Sequence, residues 1–196
     1  MFGDDIFPYL PENIKPFSQQ LKQFPENYEK WVYAAAYRSE TYQGDVFADV
    51  PFVFVDEDGD PAQAQLAGMV VSNTCDTQPN QGEFVVLAPL IDLETYRQSS
   101  ELEGEELANH VRAVTENKIS NLMFLPRSET TLDSLVDFGN LCSVSGAYFH
   151  QKKGKNRIVS LSLVGHYFML VKLAYHFTRP EAADALRDSV VQPGGD

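Results

Sequence analysis

The sequence predicts one α+β domain, a small and strongly bent antiparallel sheet framed by helices. Three observations carry that prediction. The 196 residues are 43% hydrophobic and 12% aromatic, enough for a single domain to bury a sizeable core and too apolar for a disordered chain. The middle of the chain is a series of short β-rich runs, joined too closely for parallel crossovers. Both flanks instead carry apolar residues at three- and four-residue spacing, the period of a helix.

Residues 1–43 read as a helical N-terminal arm whose first ten residues are extended. Ile14, Phe17, Leu21 and Phe24 form a helical stripe over 11–24, with Pro16 in or near the first turn. Pro25 stops that helix and starts another, with Tyr28, Trp31, Val32, Ala35 and Ala36 on one face. Tyr42-Gln43-Gly44-Asp45 breaks the period, and 46–55 follows as a β-rich run. The run ends in Asp56-Glu57-Asp58-Gly59-Asp60, where Asp-Gly chemistry between apolar segments predicts a solvated hairpin loop. Calcium is the poorer reading there, because its helix-flanked loop spreads ligands over about twelve residues and closes on a bidentate Glu.

Strands are expected at 64–72 and 83–87. The stretch 93–127 then reads as a polar insertion, with a helix through 105–115 (Leu107, Val111 and Val114 on one face) and a short buried strand at 122–125. Strands at 135–144 and 158–163 complete the sheet, which is assigned to 44–92 and 133–164 around one core. The C-terminal helical region covers 165–189; its 165–177 stretch is apolar nearly all round, so it reads as part core and part dimer surface. Residues 190–196, rich in Gly and Pro, read as a frayed tail.

Charge narrows the function classes. Asp and Glu number 28 against 15 Lys and Arg, a net charge of −13. Affinity for nucleic acid comes largely from neutralising phosphates, so nucleic acid is not the expected partner, and a basic protein suits the surface better. No run approaches the roughly 18 apolar residues of a membrane span. The opening MFGDDIFPYL has two acids where a signal peptide has a basic region, and the two cysteines, Cys75 and Cys142, form no CxxC pair. Thiols in a reducing cytoplasm are expected. His166 and His176 stand ten apart, about 80° off a common face, and are poorly placed as joint metal ligands. Neither a metal nor a cofactor is expected.

Three short segments carry a likeness to a known family. Gly44-Asp45-Val46 opens a strand, Gly68-Met69-Val70-Val71-Ser72-Asn73 is an aliphatic strand ending in Ser-Asn, and Val85-Val86-Leu87-Ala88-Pro89-Leu90-Ile91 runs into Ala-Pro. This order and spacing resembles the MazF/PemK toxins, with the Asp58-Gly59 loop where that family has its first hairpin. The resemblance covers about half the chain and implies a small, strongly bent antiparallel β-barrel closed by the strand and helix of 157–177. Relatives of that barrel dimerise, and some bind a protein target without cutting RNA. The family's ribonucleases use an Arg at the start of the strand leading to Ser-Asn, and a Thr or Ser after Ala-Pro. Here Leu66 takes the first position and Ile91 and Asp92 the second, and the first hairpin is acidic. A Leu donates nothing to a phosphate and an Asp repels it.

Two clusters are candidate sites. Ser72-Asn73-Thr74-Cys75-Asp76 places a thiol and a carboxylate at a strand end, with His150, His166 or His176 as a base if one comes near. The alternative is that Asn73 and Asp76 make turns and Cys75 packs as a small hydrophobe. His150 to Arg157 holds Lys152, Lys153, Lys155 and Arg157, a basic hairpin tip able to grip a phosphate or an acidic segment, or a plain solvated loop. These features point to a non-catalytic protein-interaction module of a toxin–antitoxin, immunity or defence-type system, homodimeric or bound to another protein. An endoribonuclease with a relocated site and a small thiol enzyme using Cys75 are the alternatives.

Overall fold

The computed structural model describes residues 29–35, 39–153 and 156–178. The helix expected at 11–24, the start of the next one, residues 179–189 of the C-terminal helical region and the tail lie outside the described residues. The elements are β1 (Asp45–Val55), β2 (Pro61–Val70), β3 (Phe84–Asp92), α1 (Leu93–Gln98), α2 (Gly104–Thr115), β4 (Leu122–Leu125), β5 (Ser134–Asp137) and β6 (Cys142–Ser145). A short α3 (Gly146–Tyr148) runs into a π-helical turn (Phe149–Lys153), followed by β7 (Arg157–Ser160) and α4 (Leu163–Thr178).

The seven strands form one sheet in the order β4-β5-β3-β2-β1-β7, with β6 also on β3. Every pairing between them is antiparallel. The order has two ends, so the closed barrel expected from the sequence is not what the described strands form. The β7 end is covered by the chain at 32–34: Tyr33 bridges Leu161 and Ala34 donates to the Ser160 carbonyl. That contact also corrects the expected helix over 25–36. Among the described residues of that stretch the helical ones are 29–31, and at Tyr33 the chain is already extended because a sheet edge offers its backbone partners.

Two irregularities bend the sheet. In β1 the register slips between Phe47 and Val50, and Asp49 takes a left-handed φ of 52°, the mark of a bulge that kinks the strand. Along β3, Leu90 pairs with Val136 but Leu87 with Cys142, so β5 and β6 are one strand interrupted by three extra residues. The sequence predicts one continuous strand over 135–144. Asp137 shapes the detour, its carboxylate accepting from Gly139 N, Asn140 Nδ2 and Asn121 Nδ2.

Among the described residues there are two apolar clusters rather than the single core expected. Neighbours along a strand point to opposite faces, and Val46 and Phe47, Met69 and Val70, Ala88 and Leu87 divide between the clusters. One cluster is roofed by α2 through Val114 and by α4 through Met169 and Leu173. The other lies on the opposite face, where Phe47, Phe52 and Phe149 are fully buried. Each such side chain contributes about 2 kcal/mol. Among the described residues no helix is long and apolar enough to cross a membrane.

Candidate functional site

A cleft of about 220 Å³ opens where the turn into β1, the loop after β2, β7 and the start of α4 meet. Gly44 makes the close approach possible. Its φ is +91°, and a Cβ there would lie 2.9 Å from the Leu161 side chain. Tyr42, Gln43, Asp45, Thr74, Arg157 and His166, with Ser160 and Ser162, supply the polar lining.

At its floor Asp45 is 2% exposed and accepts a hydrogen bond from Tyr42 N at 2.8 Å. Arg157 Nε lies 3.2 Å from Asp45 Oδ2, an ion pair by distance rather than a straight hydrogen bond. The guanidinium also donates to the Glu40 carbonyl at 2.6 Å and sits 5.6 Å over the Phe47 ring. Burial pushes the Asp45 carboxyl up, against the lowering by Ser160, Tyr42 N–H and Arg157.

The wall is neutral and cross-tied. Gln43 Nε2 donates to the Val71 carbonyl at 2.7 Å, which leaves Gln43 Oε1 as the acceptor for His166 Nε2 at 3.0 Å. The His166 ring therefore carries its proton on Nε2, and burial holds its pKa below the ordinary 6.5, so it is neutral at pH 7. Thr74 Oγ1 accepts from Gln43 N, while buried Thr77 and Gln78 tie the same loop to the Thr41 carbonyl. The cleft thus offers hydroxyl, amide and imidazole groups around a charge pair that is balanced internally. Such a lining suits a polar, uncharged segment better than a phosphate.

A search of protein-family models finds none that matches this chain, and no curated protein matches it.

Of the residues singled out in the sequence, the fold brings Thr74, Arg157 and His166 into the cleft and leaves the others apart. Ser72 Oγ accepts from Val86 N at 2.8 Å and holds β2 against β3. Asn73 Oδ1 accepts from Cys75 N, a local turn, and both Cys75 and Asp76 are exposed. Of the histidines weighed as bases, His166 reaches the cleft but bonds Gln43, while His150 packs edge-on to Phe149 and His176 against Phe177. Lys155 and the side chains of Lys152 and Lys153 lie outside the described residues. Arg157 is not the solvated tip of a basic hairpin, since its side chain is 10% exposed. Residues 149–153 form a π-helical turn, which swings the chain so that β7 enters beside β1. The sequence gives no sign that Gln43 and Ser160 are cleft residues, and it offers Asp45 only as part of a motif.

Proposed function

We propose that this chain is a non-catalytic protein-interaction module of a toxin–antitoxin, immunity or defence-type system, built on a bent sheet of the MazF/PemK kind. One observation carries the reading. Each position where that family keeps a ribonuclease group holds a side chain with a structural task. Asp92 caps α1 by accepting from Thr95 N at 2.9 Å. Ile91 stands in register with Leu135 on β5, and Leu66 packs against the cluster of Phe47, Phe52 and Phe149. The guanidinium in the cleft is committed to Asp45 and the Glu40 carbonyl, so a phosphate entering there meets a carboxylate as well. Removing one preorganised donor costs roughly two to three orders of magnitude in rate, and this chain lacks both groups. The net charge of −13 further favours a basic protein over RNA.

The test is incubation of several unstructured RNAs with protein from independent preparations, with and without divalent ions. No discrete cleavage is expected. Sequence-specific cuts that disappear in Lys152→Ala or Arg157→Ala would overturn the proposal and move the active site to the segment before β7.

A further inference from the structure

We infer that the outward face of α4 docks a basic amphipathic helix of a partner protein, an inference that rests on the interaction-module reading. The helix inverts the usual surface pattern. Its sequence, LVGHYFMLVKLAYHFT, has one Lys and no Asp, Glu or Arg. That residue, Lys172, is 6% exposed and donates inward, to the Asn117 carbonyl at 2.9 Å and the Ile119 carbonyl at 2.5 Å. The side chains facing out are apolar: Leu163, Val171, Tyr175 and Phe177 are 70%, 45%, 58% and 62% exposed. A helix facing water carries its charges outward, so this face is made for contact.

Leu163, Val171 and Tyr175 fall at multiples of four residues, with Tyr167 between, and make a ridge along a helix of about 24 Å. Such ridges interleave with the same ridges of a facing helix. Leu163 also lines the cleft, so ridge and cleft form one continuous surface.

Charge selects the occupant. The ridge carries none, while the chain as a whole carries −13. That field draws in a basic partner and repels a second copy of this chain. A helix with one apolar face and Lys or Arg on the other satisfies both conditions.

The probe is a labelled amphipathic Leu/Lys model peptide of about 18 residues, titrated with the full chain and followed by anisotropy; a Leu/Glu peptide of the same pattern is the control. Micromolar binding of the Lys peptide is expected, with none of the Glu peptide. Val171→Asp and Tyr175→Ser should each weaken it about tenfold. The first variant is decisive because it adds negative charge, so attachment by charge alone would strengthen. Both positions are exposed and the variants should keep the wild-type fold; if Val171→Asp unfolds, Tyr175→Ser carries the test. Unchanged or tighter binding by the variants overturns the inference. So does a wild-type chain that binds no Lys peptide, or that sediments as a dimer dissociated by Val171→Asp. Discrete RNA cleavage, by contrast, would sink the interaction-module reading, so the two failures are told apart.

Discussion

Asp45 and Arg157 each lose most of their water in the cleft, and what replaces it decides how the site behaves. Removing one partner of a buried pair leaves the other charge uncompensated, which typically costs about 3–5 kcal/mol. Arg157→Met should therefore destabilise by about 3 kcal/mol at pH 7, and adding Asp45→Asn should recover part of that loss. Urea unfolding of the two single variants and the double one measures it; strictly additive costs would contradict the pairing. The pH dependence has a defined sign. The folded-state pKa of Asp45 is raised by burial, so its contribution to stability is fullest at low pH and declines as pH rises through that pKa. Without Arg157 the carboxyl is driven further toward its neutral form, and the Arg157→Met penalty should shrink as pH falls. Little of this was legible in the sequence. Gly44-Asp45 stood out as a motif and Arg157 as one of several bases, but only the arrival of β7 beside β1 joins them.

Elements were legible where periodicity or turn chemistry is local, and illegible where a distant strand sets the outcome. The Asp58-Gly59 hairpin, α2 and α4 fall close to where spacing put them. The strand expected to end at 87 instead runs through Pro89 to Asp92. Val71 donates to the Val86 carbonyl, and by strand parity Pro89 then turns its missing N–H away from β2, toward the gap between β5 and β6. The proline is tolerated because the ladder is interrupted there, which no local rule foretells. Lys172 is a similar case, since a lone Lys in an apolar helix gives no sign that it caps the carbonyls between α2 and β4. Burial pushes its pKa down to about 8. The unfolded chain then binds more protons above that pH, so this contribution rises with pH from about 8. The Cys142 thiol, pushed up to about 11, and the Tyr33 hydroxyl, pushed up to about 12, act in the opposite sense above their ordinary values of 9.0 and 10.0. Between pH 8 and 9 the Lys172 contribution should rise by about 1 kcal/mol, and Lys172→Met should abolish the rise. Urea midpoints of both proteins at the two pH values decide it; equal slopes would contradict the buried-lysine account.

For the molecule as a whole, apolar clusters cover both faces of the sheet, and the excess negative charge is left for the surface. Antiparallel pairing was legible from short runs and brief connections. Closure was not, because it depends on which edges meet, and here the chain at 32–34 lies along β7 instead of another strand. Leu66 packs in one cluster, Ile91 pairs with Leu135 and Asp92 caps α1, tasks set by strand pairing that the sequence alone does not show. The most direct measurement of the central claim is the affinity for a fluorescent single-stranded RNA as salt is lowered from about 200 to 50 mM. A protein that contacts several phosphates gains orders of magnitude over that range, because each contact releases counterions. The account predicts binding weaker than about 100 μM throughout, with no gain at low salt. Micromolar binding that tightens steeply as salt falls would contradict it.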